Sequence, residues 1–180
     1  RHNPQINAFV HVDAEGAMEA ACCAEREILA GGPRGPLHGV PIAIKDNIDV
    51  AGQGTTCNSN LLIDNVATAD ATVVGHLRAA GAIILGKTNL SEFANWVDLN
   101  MPNGYSSLGG QVHNAYTKGD PLGSSAGSGV AGSMAFAAAT FGSETSGSIL
   151  APSSINGLVG VKPTRGLISR DGVIPLAEGF

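Results

Sequence analysis

The sequence predicts an α/β fold, a mixed β-sheet flanked by helices. Two short apolar runs, residues 40–44 and 82–85, suit buried strands. Longer segments with helix start and stop signals separate runs of this kind, an order that builds a parallel or mixed sheet. Composition agrees: 43% hydrophobic against 14% charged residues over 180 positions favours one packed core over a disordered chain.

Taken in order, residues 6–12 read as a strand. Asp13 then caps a helix to about Leu29, with Met18, Cys22 and Ile28 or Leu29 on one side, and Gly31-Gly32-Pro33 stops it. A turn at Gly35-Pro36-Leu37-His38-Gly39 leads into the strand 40–44, which delivers Lys45 at its C-terminal end. Active sites of open α/β sheets collect at that end. Residues 52–65 read as loop. Asp70 caps a helix through Ala80, closed by Gly81 where positive φ is tolerated. Residues 82–85 are a buried strand, 89–96 a short helix and 103–120 a run of turns. A helix of small residues is expected over 128–139, a short helix or turn over 149–156, and a strand over 158–161. No internal repeat is visible.

Ten basic against fifteen acidic residues give a net charge of −5, with no run of either sign. That argues against nucleic acid or an anionic membrane as partner, and the scarcity of aromatics removes the platforms on which single strands stack. The longest uncharged run, residues 121–143, is too rich in Gly and Ser to read as a membrane span. Cys22, Cys23 and Cys57 make no disulfide framework and read as small buried hydrophobes. The histidines are scattered, and no His/Cys/Asp cluster has metal spacing.

The most informative stretch is 120–166. Between Gly119 and Val161 only Asp120 and Glu144 carry charge, yet Val130, Met134, Phe136, Phe141, Ile149 and Leu158 are interspersed. A solvated linker would not hold those apolar side chains, so this is buried backbone with hydroxyls set into it. Glycines there let the main chain approach a ligand and present its N–H groups. The stretch has the chemistry of a hydroxyl-based site.

Three motif readings compete. Gly81 to Thr88 fits the spacing of a phosphate loop, but Ala82-Ile83-Ile84-Leu85 favours a strand rather than a loop turning its N–H groups inward. Gly123-Ser124-Ser125-Ala126-Gly127 fits a nucleophile elbow centred on Ser125. That site needs a preceding strand and a later histidine, whereas His2, His11, His38, His76 and His113 all lie upstream. The third reading pairs a serine with a buried, neutral lysine as proton acceptor, and Lys45 at a strand end suits it.

Resemblance favours the third. Lys45 within Gly39-Val40-Pro41-Ile42-Ala43-Ile44-Lys45-Asp46-Asn47 resembles a segment of the amidase signature family. So do Gly86-Lys87-Thr88-Asn89-Leu90-Ser91-Glu92-Phe93-Ala94, the Gly/Ser block from Gly123, and Gly147-Ser148-Ile149 through Gly160-Val161-Lys162-Pro163-Thr164. Order and spacing match over nearly the whole chain. The resemblance implies a Ser-Ser-Lys triad at Lys45, Ser124 and Ser148, with Ser148 as nucleophile, Ser124 as bridging hydroxyl and Lys45 as base. It also implies a cis peptide at Gly123–Ser124 and an oxyanion hole and substrate-binding segment at Thr145, Ser146 and Gly147. Glu144-Thr145-Ser146-Gly147-Ser148-Ile149-Leu150 departs from the commoner Asp-Thr-Gly-Gly-Ser-Ile-Arg and resembles the branch that holds peptide amidases.

The function expected from the resemblance is hydrolysis of a small-molecule or peptide amide through an acyl-enzyme, with no metal or organic cofactor. A transamidation component of the amidotransferase kind is the alternative within the family. A non-catalytic protein using its Gly/Ser loops to bind ligand is the alternative outside it. The resemblance further implies a single domain over residues 1–180, cut short at both ends and chiefly after Phe180. An open triad and exposed apolar surface are expected to accompany that.

Overall fold

The structure is a computed structural model that describes residues 2–98 and 100–177. A helical turn α1 (Asn3–Ile6) leads into β1 (Phe9–Val12), then α2 (Ala14–Gly31), β2 (Pro41–Lys45), α3 (Thr72–Ala79), β3 (Ile83–Thr88), α4 (Ala126–Ser133), β4 (Ala139–Phe141) and α5 (Leu150–Ile155). The strands form one mixed sheet in the order β1-β3-β2-β4. β2 runs parallel to both β3 and β4, and β1 runs antiparallel to β3. This is the α/β architecture that the strand and helix signals predict.

The period of two along β2 divides the core. Ile42 and Ile44 point to one face, where Ile48, Val50, Val74, Leu77 and Ile84 bury with α3. Ala43 points to the other, among Phe9, Val112, Ala126, Val130 and Ala131 beneath α4. An alanine suffices there because α4 packs close. A Cβ at Gly127 would overlap backbone atoms of Ala8 and Asn89, so only glycine admits this approach. Lys45 follows Ala43 on the same face and is carried beneath the N-terminus of α4.

Several elements differ from their sequence reading. The strand expected over 6–12 begins only at Phe9, because Ile6 ends α1 and Asn7 turns left-handed at φ 55°. Asp13 does cap α2, accepting from Gly16 N–H at 3.0 Å, but the apolar side is not Met18 and Cys22. Met18 is 65% exposed, Leu29 82%, and both Cys22 and Cys23 lie in solvent; the buried contact of α2 is Ala24. Alanine lets the helix lie near the sheet, whereas hydrophobicity alone would turn the larger residues inward. Only Cys57 is buried as expected.

Asp70 does not cap α3. Its carboxylate instead accepts from Ala51 N–H and meets Arg78, while Ala71 occupies the cap position; Gly81 closes the segment at φ +90° as expected. Residues 52–65 hold one 3-10 turn (Asn60–Leu62), and the helix expected over 89–96 is a 3-10 turn at Glu92–Asn95 interrupted by left-handed Phe93 and Ala94. The helix expected over 128–139 is α4, which stops at Ser133 so that β4 can pair with β2; a three-residue strand at the sheet edge leaves little periodic signal. Residues 158–161 are not a strand, and Val159 and Val161 are 93% and 72% exposed. Ile83, by contrast, is buried. The chain end at Glu178-Gly179-Phe180 lies outside the described residues.

Candidate active site

Three elements converge where β2 ends. β2 carries Lys45, the loop before α4 carries Ser124, and the loop after β4 carries Ser143. Because β2 and β4 are parallel with Ile44 opposite Phe141, the two strands end together, and Ser143 emerges beside Lys45. Lys45 Nζ, fully buried, lies 2.8 Å from Ser124 Oγ, 2.9 Å from Ser143 Oγ and 3.4 Å from the Ser143 carbonyl. Asn47 Nδ2 donates to the same Ser143 Oγ at 2.9 Å. The Gly123–Ser124 peptide is cis.

Burial pushes the Lys45 ammonium down to about 7, against a weaker opposing pull from the Glu144 carboxylate. Burial also pushes the Cys57 thiol up to about 12, with Asp46 adding to the rise, so Cys57 carries no charge near neutral pH. The nearest carboxylate in sequence, Asp46, faces away from Lys45. Its oxygens meet Lys87 at 3.2 Å, Thr56 Oγ1 and the Thr56 N–H at 3.2 Å. Every direct partner of Lys45 is therefore uncharged.

Ser148 precedes α5 and is half-buried. Its carbonyl accepts from Ser125 N–H at 3.2 Å, which ties the segment to the N-terminus of α4. Among the described residues no side-chain hydrogen bond joins Ser148 to Ser124. Thr145 and Ser146 are more open than Ser124, and Gly147 has φ +84°.

Glu144 clasps this segment, accepting from Ile149 N–H at 2.7 Å and Leu150 N–H at 3.0 Å. Partial burial draws its carboxyl upward, but the N–H groups of Leu150, Ile149 and Gly147 and the charge of Lys162 outweigh that and hold it below the usual range. A depressed carboxyl stabilises the fold above its unfolded value and loses that contribution as pH falls through the folded value. Glu144→Ala is accordingly expected to speed amide exchange at Ile149 and Leu150. Acidification that protonates Glu144 should lower the protection of the same amides relative to their intrinsic exchange in the unaltered chain.

The rival sites do not assemble. Gly86-Lys87-Thr88 lies within β3, so the phosphate-loop spacing is extended strand, and Lys87 Nζ is spent on Gly54 O, Thr55 Oγ1 and Asp46. Ser125 is buried, and its hydroxyl bonds both the carbonyl (3.2 Å) and the N–H (3.3 Å) of Ser143. It staples α4 to the loop after β4, and no histidine bonds it among the described residues. Sequence reasoning gives no role to Ser143 or Asn47. The available signal is their placement: Asn47 two residues beyond Lys45, and Ser143 a further hydroxyl in the same uncharged block.

Comparison with known proteins agrees with this fold. The Amidase family model matches residues 1–180. A putative amidase of Arthroderma benhamiae is 45% identical over 98% of this chain and 30% of its own length. The A-subunit of the glutamyl-tRNA(Gln) amidotransferase of an Azoarcus strain is 44% identical over 99% of the chain and 36% of its own length. The native peptide amidase of Stenotrophomonas maltophilia superposes with a TM-score of 0.94 at 44% identity, over 98% of this chain and 37% of that one. The chain thus spans about a third of the length of the relatives it matches. With a family match over every residue and the same fold at 44% identity, the chain belongs to the amidase family, the amidase signature family that its four segments resemble.

Proposed function

We propose that the chain carries the catalytic centre of an amide hydrolase that works through an acyl-enzyme, with Lys45, Ser124 and Ser148 as its Ser-Ser-Lys triad. The observation that carries this reading is the 2.8 Å contact between Ser124 and a buried lysine whose ammonium is pushed down to about 7. A lysine in water holds its proton up to ~10.4 and cannot act as base at neutral pH. Here burial brings the neutral amine, the form that accepts a proton, into the neutral pH range.

In the proposed reaction Ser148 Oγ attacks the amide carbonyl carbon. Its proton passes to Ser124 Oγ as the Ser124 proton passes to Lys45 Nζ. The carbonyl oxygen becomes an oxyanion, received by the backbone N–H groups of Thr145 and Ser146 and by that of Gly147, which meets the Glu144 carboxylate in the resting site and turns from it to the oxyanion. Each such donor typically lowers the barrier by ~3–4 kcal/mol. The Lys45 proton then returns through Ser124 to the leaving nitrogen, the C–N bond breaks, and ammonia or an amine departs. Water, deprotonated by the same relay, cleaves the acyl ester and restores Ser148. The family variant Glu144-Thr145-Ser146-Gly147-Ser148-Ile149 favours a peptide or small-molecule amide as substrate. The 44% identity to an amidotransferase component supports a second reading, in which the released ammonia is passed to an acceptor on a partner.

In the full-length protein, Ser148→Ala is expected to abolish covalent capture of a phosphonate or boronic acid while circular dichroism stays unchanged. Peptide mapping that places the adduct on Ser125 would overturn the assignment. A panel of primary and secondary amides that includes free glutamine separates the two readings, since a transamidation component is expected to favour glutamine.

A further inference from the structure

Resting on the reading of Lys45 as base, we infer that Ser143 is a positioning residue: its hydroxyl accepts from Lys45 or donates to it, and so holds Nζ in one place beside Ser124 as the lysine gains and loses its proton. Nζ lies 2.9 Å from Ser143 Oγ, 3.4 Å from the Ser143 carbonyl and 2.8 Å from Ser124 Oγ, so Ser143 supplies two of its three partners. As an ammonium, Lys45 has three N–H groups for these three oxygens. As an amine it has two N–H groups and one lone pair, so one of the two hydroxyls must turn and donate.

Ser143 suits both states. A hydroxyl oxygen has two lone pairs and one hydrogen. Asn47 Nδ2 takes one lone pair at 2.9 Å, which leaves the other lone pair and the hydrogen to Lys45; among the described residues no other group bonds this hydroxyl. With the amine lone pair toward Ser124, the arrangement that moves a proton along the triad, both N–H groups go to Ser143, one to Oγ and one to the carbonyl. With the lone pair toward Ser143, the hydroxyl turns and donates, and the N–H groups go to Ser124 and the carbonyl. The nitrogen keeps its place in either arrangement. Ser143 is itself clamped, because its N–H donates to Ser125 Oγ at 3.3 Å and its carbonyl accepts from the same hydroxyl at 3.2 Å.

The titratable groups around Lys45 are Asp46 and Lys87, paired with each other at the ends of β2 and β3, Cys57 from the loop after β2, and Glu144 beyond β4; α4 has none. None of them bonds Nζ, so the ammonium is met by the oxygens of the two serines alone. A hydrogen bond from an ammonium is roughly twice as strong as one from a neutral amine. Removing the Ser143 hydroxyl therefore costs the charged form more than the neutral one, and Lys45 should then release its proton at lower pH.

The test compares Ser143→Ala, Ser143→Val and Ser143→Thr in the full-length protein. The readouts are the pH dependence of phosphonate capture at Ser148 and the titration of Lys45 followed by carbon-13 NMR. Ser143→Ala and Ser143→Val are expected to lower the Lys45 midpoint and the acidic limb of capture by about one unit. Both should slow capture about 10-fold at its high-pH plateau, since the base is weaker and less firmly held. Ser143→Thr keeps the hydroxyl and should recover both the midpoint and the rate. A residue that merely packs the loop would change the plateau and leave the midpoint where it was. A midpoint that stays or rises without the hydroxyl, or a threonine variant that behaves as the valine one does, would overturn the inference. Should Ser143→Ala fail to fold, the Thr and Val variants, alike in shape and different in the hydroxyl, still decide. Absence of Ser148-dependent capture in the unaltered protein, with the Lys45 midpoint still near 7, would instead defeat the base reading, and the inference that rests on it with it.

Discussion

Lys45→Met is expected to leave a protein without amide hydrolysis that is more stable than its parent. Loss of a positioned general base costs a rate factor of about 10²–10⁴, and in the proposed relay Ser124 has Lys45 as its only side-chain partner among the described residues, so the upper end is expected. The stability change follows from the same burial. The folded Lys45 releases its proton near 7 and the unfolded one near its ordinary value of 10.5. Between those values the unfolded chain binds the extra proton, so parental stability rises with pH across that window. A methionine fills similar space and carries no such slope. At pH 7 the variant should therefore gain about 1–3 kcal/mol, the relief from desolvation being partly offset by the partner Ser124 loses. The gain should shrink as pH approaches 10. Chemical unfolding at two pH values checks the claim, and a variant less stable than the parent at pH 7 would show that Lys45 is held as a charged, satisfied group.

Much of this site is legible in the sequence because strand position carries chemistry. The run 40–44 is apolar at every residue, ends in Lys45, and the period of two places that lysine on the Ala43 face. The Gly/Ser block declares itself by low charge with interspersed apolar residues, and Ser124 lies within it. Less visible are features set by distant pairing. β4 is only three residues long and exists because β2 offers it an edge, so Ala139 reads as the end of a helix and residues 140–141 as no element. Ser143 reaches Lys45 only through that pairing, and so its part in the network is invisible to local pattern. The inner face of α2 is misread for a different reason. Close approach to the sheet selects Ala24, while Met18 and Leu29 remain in solvent, against the rule that the largest apolar residues face inward. Lys87 is a further case. A lysine within an apolar strand suggests a ligand, yet the fold uses it to hold a carboxylate.

That use of Lys87 leads to the largest expected effect on stability. Lys87 and Asp46 are both buried, 3.2 Å apart, at the ends of adjacent parallel strands. Burial draws the Lys87 ammonium downward while the charge and hydrogen bond of Asp46 oppose it. Removing one member of such a pair leaves a buried charge uncompensated, at a cost of about 3–5 kcal/mol. Lys87→Met is expected to fall in that range, moderated by the bonds Asp46 keeps to Thr56 and to Asn58 N–H. Pairing it with Asp46→Asn should restore a large part of the loss, since a neutral amide needs no counter-charge; additive penalties would argue against the pair. The single variant also probes the candidate active site. With Lys87 gone, the Asp46 carboxylate is left without its paired cation, one residue along the chain from Lys45. Lys45 should then hold its proton to higher pH, and the acidic limb of phosphonate capture should move upward with it. In Lys87→Met/Asp46→Asn the limb should return toward its original position. A limb that stays in place in both proteins would mean that Asp46 is shielded from Lys45 by the fold rather than by Lys87.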